Sequence, residues 1–136
     1  MDKIQFFLQQ FKDWSIKQEN ILGVVLVGSY ANNAAKENSD IDLMIIVKDL
    51  KLYLQDNSWI DKFGEVKQYG IKDEDWGLVK TKRVFYRNGI EVEFNFSNEE
   101  WTKINPVDVG TKKVMKNGYN IMVDKNDLLN RLADLI

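Results

Sequence analysis

The sequence predicts a single α/β (α+β) domain with a mixed central β-sheet flanked by helices, and three observations support this fold class. The first segment has the apolar spacing of an amphipathic helix, the run Ile21–Val27 has the character of a strand buried on both faces, and Asn88–Gly89 is typical of a tight hairpin turn. With 136 residues, of which 44% are apolar, the chain is long enough for one hydrophobic core.

The first two elements follow from a change in hydrophobic period. Apolar residues recur at helical spacing between Ile4 and Trp14, which predicts an amphipathic helix over residues 3–19. The unbroken run Ile21–Val27 is rich in β-branched residues and predicts a strand that is covered on both faces.

The next elements surround a polar turn. Gly28–Ser29 ends the first strand, and residues 30–35 are expected to form a short helix with Ser29 as its N-cap. After the turn at residues 36–39, a second strand is expected from Asp40 or Ile41 to Val47.

The second half of the chain contains a hairpin and further short elements. Asn88–Gly89 joins two expected strands, while Pro106 and Asn117–Gly118 delimit an expected helix. In order, we expect a loop with short helical turns over 48–61, a peripheral strand over 65–72, hairpin strands over 82–87 and 90–96, a helix over 107–116, an extended segment over 119–123, and a final helix carrying residues 128–136 and capped by Asp124.

Histidine and cysteine are both absent from the sequence. This excludes disulfides, thiolate nucleophiles, Cys-based metal sites and a Ser-His-Asp triad. Any chemistry must therefore use carboxylates, hydroxyls, Lys, Arg or backbone amides, and oxygen ligands of this kind suit hard cations such as magnesium.

The charge and the apolar runs restrict the partners. The net charge of −2 argues against a protein that coats nucleic acid, because that binding needs a strongly basic surface. The run Ile21–Val27 is too short to cross a bilayer, and Met1–Asp13 lacks the features of a targeting signal. We therefore expect a cytoplasmic protein without a membrane partner.

Gly28 and Ser29 form a candidate anion site at the end of the first strand. Gly28 has no side chain, so a ligand can approach the backbone closely there. Ser29 would offer its hydroxyl and the free amides of a helix start, and such a terminus attracts phosphate.

Asp40 and Asp42 form a candidate cation site next to it. They lie two residues apart at the start of a strand, so both carboxylates project from the same face. Two like charges at the end of a buried strand repel each other unless a cation lies between them. An anion site beside a divalent-cation site is what a nucleoside triphosphate with magnesium requires.

A third carboxylate would complete a two-metal site. Glu91, Glu93 and Asn95 share one face of the expected hairpin strand. We prefer Glu93, which lies deeper in the strand, and retain Glu91 as the alternative. This carboxylate could also accept the proton of an acceptor hydroxyl.

The basic residues near the hairpin are a separate feature. Lys80, Lys82, Arg83 and Arg87 could hold phosphate, but charges on a strand usually face solvent. We interpret them as solvated side chains.

Three segments resemble a known superfamily. The run VGSYANNAAKENSDIDLMIIV, which ends at Val47, looks like the GS…DxD signature of the nucleotidyltransferase superfamily that includes polymerase beta. It resembles most the catalytic domain of aminoglycoside and lincosamide adenylyltransferases and the minimal nucleotidyltransferases. FYRNGIEVEFNF and VMKNGYNIMVDKNDLL are similar to later segments of that domain, so the resemblance covers residues 20–132.

The resemblance implies a nucleotidyltransferase fold and a magnesium-dependent enzyme that moves a nucleoside monophosphate, AMP from ATP, to an acceptor hydroxyl with release of pyrophosphate. It implies that Gly28 and Ser29 contact the triphosphate and that Asp40, Asp42 and Glu93 bind the metal ions. Two positions depart from the common pattern. Tyr30 stands where many members carry Arg, and Glu93 stands where Asp is common.

The sequence does not determine which molecule accepts the nucleotide. We expect residues 1–136 to form one nucleotidyltransferase domain without a separate helical acceptor domain. The acceptor would then be an aminoglycoside- or lincosamide-like small molecule, with a homodimer or a helical partner completing the pocket. Alternatively, the chain is a minimal nucleotidyltransferase that modifies or neutralises a helical partner protein, as in toxin–antitoxin pairs, or a catalytically silent nucleotide-binding domain.

Overall fold

The computed structural model describes residues 2–136 and contains a six-stranded mixed sheet with helices on both faces. This confirms the predicted fold class. The elements in chain order are α1 (Lys3–Lys17), β1 (Ile21–Val27), β2 (Ile41–Val47), α2 (Lys51–Leu54), a 3-10 helix (Ser58–Phe63), β3 (Val66–Asp75), β4 (Lys80–Tyr86), β5 (Glu91–Ser97), a second 3-10 helix (Glu99–Thr102), α3 (Val109–Lys116), β6 (Tyr119–Asp124) and α4 (Leu128–Ala133).

The strands follow the spatial order β3-β4-β5-β2-β1-β6. The pairs β3–β4, β4–β5, β1–β2 and β1–β6 are antiparallel, whereas β2 and β5 are parallel. The parallel pair brings the beginning of β5 beside the beginning of β2. The two strands that carry the predicted acidic residues are therefore neighbours, as the site hypothesis required.

One face of the sheet packs against α1, α2 and the first 3-10 helix. Alternate residues of β2, from Ile41 to Val47, and of β5, from Val92 to Phe96, point into this core. Aromatic side chains from the helical side fill it; the rings of Trp59 and Phe94 meet edge to face with centroids 4.9 Å apart. This packing determines which residues of β2 and β5 point into the core, so the alternate residues of both strands point to the second face of the sheet.

The second face is divided into an apolar half and a polar half. Over β1, β2 and β6 it is covered by α3, α4 and the second 3-10 helix through an apolar cluster that includes Trp101, Met115 and Leu129. That cluster does not extend over β4 and β5. There, the same face carries the polar side chains of Thr81, Arg83, Glu91, Glu93 and Asn95.

The predicted helix at residues 30–35 is wrong. Hydrogen-bonded turns follow Gly28 instead, and Asn33 has a left-handed backbone with φ of 62°. The side chain of Asn32 accepts a hydrogen bond from the amide of Ala34 at 3.0 Å, and such local bonds compete with helix formation. Ser29 therefore lies in a turn and does not cap a helix.

The remaining predicted elements are confirmed, with ends that shift by a few residues. The largest difference is β3, which continues to Asp75 as an edge strand. The N-cap position of α4 is Asp127 and not Asp124 as predicted, but the Asp124 carboxylate accepts from the amides of Leu129 and Asn130 at 3.1 and 2.9 Å. Within residues 2–136, no helix has the length and apolar character needed to span a membrane.

Candidate active site

Asp42 occupies the centre of the candidate site because its strand lies between β1 and β5. It pairs with Val27 in β1, immediately before Gly28, and with Glu93 in β5. The sheet therefore brings together three of the residues singled out in the sequence: Gly28, Asp42 and Glu93.

Gly28 leaves space that Asp42 needs. Its φ of +74° is a conformation that favours glycine, and a Cβ atom there would lie 3.2 Å from Cβ and 3.3 Å from Oδ2 of Asp42. Any larger residue would be strained and would crowd the carboxylate. The glycine thus keeps Oδ2 of Asp42 open toward the loop.

The loop after Gly28 is held against the end of α3. The carbonyl of Gly28 accepts from the amides of Ala31 and Asn32, and the side-chain amide of Asn32 donates to the carbonyl of Asn117 at 3.3 Å. Ser29 is half-buried in this turn, directly beside Gly28. The predicted pair of nucleotide-binding residues therefore lies on a loop whose position is fixed by tertiary contacts.

A cleft of about 430 Å³ opens between this loop and α3. It is lined by the following residues: Val27, Gly28, Asp42, Lys113, Val114 and Asn117. No motif indicates Lys113, since it lies far along the chain on a helix with two other lysines. Tyr30 stands where the resemblance leads us to expect an arginine, so another residue would have to supply that positive charge.

Arg83 lies among the acidic side chains of the polar half. Its guanidinium contacts Glu91 at 2.9 Å, Glu74 at 3.3 Å and Asp40 at 3.4 Å, and it also pairs with Glu93. The interpretation of Arg83 as a solvated charge is therefore wrong. The cause is its position in β4, opposite Glu93 of the neighbouring strand.

Lys82 also departs from the interpretation as a solvated charge. Its side chain is only 2% exposed, and its ammonium pairs with Asp73 at 2.9 Å. Register explains this contact, because Lys82 lies opposite Asp73 in the β3–β4 pair and on the face away from Arg83. Lys80 and Arg87 form more exposed pairs with Asp75 and Glu65.

Burial and mutual repulsion shift the titration of the central carboxylates. Burial, followed by the charge of Asp40, raises the pKa of Asp42. Burial, followed by the charges of Asp42 and Asp40, raises the pKa of Glu93 to about 7, against an opposing effect of Arg83. The site therefore holds more negative charge than its surroundings compensate.

The donor chemistry of the site fits a hard divalent cation. Asp42 and Glu93 are carboxylates on two neighbouring strands, Asp40 lies immediately before β2, and the negative charge is only partly balanced by Arg83. Within residues 2–136 no group of three such ligands has an arrangement that could hold a metal ion as it stands. Arg83 provides the counter-charge in this arrangement.

The register of β2 and β5 distinguishes Glu93 from Glu91 as the third carboxylate. Glu93 lies directly opposite Asp42 and is electrostatically coupled to both aspartates. Both glutamates form ion pairs with Arg83, but Glu91 precedes the paired residues of β2 and β5. The register therefore supports Glu93.

Comparisons with known proteins agree with the fold. The family model described as streptomycin adenylyltransferase matches residues 1–135. Among solved structures, the chain is similar to the crystal structure of an aminoglycoside 6-adenyltransferase from Bacillus subtilis, with a TM-score of 0.57 and 16% sequence identity over 72% of this chain and 35% of that one. The chain thus spans about a third of the length of that protein. Among curated proteins, none matches the sequence.

Proposed function

The chain belongs to the streptomycin adenylyltransferase family, and from this membership we propose that it transfers AMP from ATP to a hydroxyl of a small acceptor, with magnesium as cofactor and pyrophosphate as the second product. The observation that carries the proposal is that Gly28, directly after β1, lies beside Asp42 of β2 and Glu93 of β5, next to a cleft that is lined by a lysine. All six strands of residues 2–136 belong to one sheet, which supports a single nucleotidyltransferase domain over these residues.

The nucleotide is proposed to enter the cleft between Gly28 and α3. Gly28 lets the triphosphate approach the backbone, and Ser29 beside it offers a hydroxyl donor. Lys113 lines the same cleft and supplies the positive charge that an arginine at position 30 would otherwise bring. The cleft therefore combines an open backbone with a cation, the two features that phosphate groups require.

Asp40, Asp42 and Glu93 are the proposed magnesium ligands. When bound, magnesium would neutralise charge on the triphosphate and orient it for displacement at the α-phosphorus. Arg83, held at the same time by Glu74 and Glu91, keeps a positive charge beside the ligands. This charge limits the repulsion among the carboxylates.

The chemical step joins the acceptor oxygen to the α-phosphorus and breaks the bond from that phosphorus to the bridging oxygen of pyrophosphate. The electron pair of the broken bond leaves with pyrophosphate. Glu93 is the proposed base that receives the acceptor proton, since it is half-buried and faces Asp42. General-base catalysis of this kind contributes about 10²- to 10⁴-fold to a rate.

The charge of the polar half supports a cationic acceptor. Around Arg83 the side chains of Asp40, Glu74, Glu91 and Glu93 are all acidic, and Asp42 adds a fifth carboxylate next to Glu93. Such a surface attracts a polyamine sugar and concentrates it near the reacting groups. An aminoglycoside-like acceptor is therefore the proposed substrate class.

Two radioactive forms of ATP test the proposal. With magnesium and streptomycin or another aminoglycoside, label on the α-phosphate should move to the acceptor, whereas label on the γ-phosphate should appear in pyrophosphate. Label from the γ-phosphate on the acceptor would instead indicate a phosphotransferase. Label from the α-phosphate on a protein band would favour a protein acceptor, and chelation of magnesium should stop the reaction.

A further inference from the structure

Three polar side chains form a connected row across β4, β5 and β2. Thr81 lies opposite Asn95 in the β4–β5 pair, and Asn95 lies beside Met44 in β5–β2, two residues after Asp42. Asn95 shares the polar face with Glu93, but it carries no charge and cannot act as an acid or base. Its function must therefore lie in the hydrogen bonds it makes.

The side-chain amide of Asn95 uses both of its ends. Its Nδ2 atom donates to Oδ1 of Asp42 at 2.5 Å and to the carbonyl of Leu43 at 3.1 Å. Its Oδ1 atom accepts from the hydroxyl of Thr81 at 2.5 Å. The two contacts of Nδ2 define the orientation of the amide because both partners are acceptors, and the Thr81 hydroxyl donates to the oxygen at the other end.

The first bond determines how the Asp42 carboxylate is turned. With Oδ1 held by Asn95, the other oxygen, Oδ2, faces Gly28 and the cleft that Gly28 and Lys113 line. We propose that Asn95 is a positioning residue that directs Oδ2 of Asp42 into the nucleotide cleft, and that Thr81 fixes the orientation of the Asn95 amide. The inference rests on the proposed function, because it gives Asp42 the role of a metal ligand.

Thr81 is well suited to this role because it is shielded from water. It is 2% exposed, so its hydroxyl depends on Asn95 as acceptor. If the amide turned over, its oxygen would face the Asp42 carboxylate, and the Thr81 hydroxyl would accept from Nδ2 while its own proton lost the acceptor that Asn95 provides. Partners that orient a metal ligand in this way typically change metal affinity or activity by about 10- to 100-fold when they are removed.

The test compares four variants of the full chain by calorimetric titration with Mn²⁺ alone, alongside thermal unfolding and steady-state kinetics. Asn95→Ala removes the donor, Thr81→Val removes the hydroxyl at constant shape, and Thr81→Ser restores the hydroxyl. Ser97→Ala is the matched control, since Ser97 is buried on the same face of β5 and its hydroxyl has no hydrogen-bond partner within residues 2–136.

Asn95→Ala and Thr81→Val should each weaken Mn²⁺ binding by about tenfold or more and lower kcat more than they change KM for ATP. Thr81→Ser and Ser97→Ala should bind Mn²⁺ as the wild type does. If Asn95→Ala does not fold, the Mn²⁺ affinity of Thr81→Val alone tests the inference.

Wild-type Mn²⁺ affinity in the folded Thr81→Val and Asn95→Ala proteins would overturn the inference, as would a wild type that binds no Mn²⁺. If the wild type transfers no AMP but Mn²⁺ binding still weakens in the two variants, the proposed reaction fails while the positioning role of Asn95 is supported.

Discussion

Asp42 and Glu93 lie directly opposite each other in the parallel pair formed by β2 and β5. Both carboxylates are partly buried; burial and the charge of Asp42 raise the pKa of Glu93, whereas a hydrogen bond with Glu93 lowers the pKa of Asp42 against the larger effect of burial. A protein that needed only stability would gain by replacing one of them. Their juxtaposition therefore indicates a function that requires concentrated negative charge, such as holding a cation.

The first prediction concerns the aspartates. Asp42→Asn and Asp40→Asn should each lower AMP transfer by about 100-fold or more, because each removes a proposed metal ligand. Asp42→Asn should also raise the free energy of unfolding of the metal-free protein at neutral pH, since it removes a buried charge. Rate assays and denaturant titrations would measure the two effects.

Glu37→Gln provides the control for this pair, because Glu37 is an exposed acid in the turn before Asp40. It should change neither the rate nor the stability. Full activity in either aspartate variant would contradict the assigned metal ligands.

The second prediction distinguishes the two glutamates of β5. Glu93→Gln should lower kcat by about 100-fold or more, because it removes both a metal ligand and the proposed base. Glu91→Gln should lower it only a few-fold, because Glu91 precedes the residues of β5 that pair with β2, whereas Glu93 lies opposite Asp42. The kcat values of the two variants, measured under the same conditions, test this prediction. A larger loss in Glu91→Gln than in Glu93→Gln would assign the third carboxylate to Glu91.

The third prediction is a dependence of stability on pH. The pKa of Glu93 is raised from an ordinary 4.5 to about 7 in the folded protein. Between these two pH values the folded state therefore holds a proton that the unfolded state has lost. This contribution to stability is fully present below the unfolded pKa and is lost as pH rises through the folded pKa. The shift corresponds to up to about 3 kcal/mol.

Denaturant unfolding of the metal-free protein between about pH 4.5 and pH 8 would measure this loss. The groups that act on Glu93 are Asp42 and Asp40, which raise its pKa, and Arg83, which lowers it. Glu93→Gln should flatten the pH dependence. A stability that rises with pH over this range in the wild type, or a slope unchanged by the substitution, would contradict the account.

The fourth prediction concerns the cation in the cleft. Lys113→Met should raise KM for ATP by about tenfold, or about 1.4 kcal/mol, with a smaller effect on kcat. Lys112→Met is the matched control, since Lys112 is exposed on the same helix and does not line the cleft. Equal effects of the two substitutions would show that Lys113 contributes only general charge.

Most of the fold could be predicted because its signals are local. The apolar run Ile21–Val27, the alternation after Asp40 and the turn Asn88–Gly89 each determine the structure of their own segment. The loop after Gly28 was predicted wrongly, since the side chain of Asn32 and the backbone of Asn33 favour turns over a helix.

The candidate site was predictable only in part for a related reason. Asp40 and Asp42 follow from spacing within a strand, and Glu93 follows from alternation in the next. Arg83, Asn95 and Lys113 gain their positions from strand pairing and from the packing of α3, which no local pattern encodes. The roles of these three side chains therefore depend on tertiary structure.

Acceptor-dependent release of pyrophosphate from ATP by the wild type and by Asp42→Asn tests whether the chain is a metal-dependent adenylyltransferase. With magnesium and an aminoglycoside, the wild type should release one pyrophosphate for each AMP that appears on the acceptor, and Asp42→Asn should release about 100-fold less. Pyrophosphate release at the same rate by the Asp42→Asn protein, or none by the wild type with any aminoglycoside tested, would contradict this function.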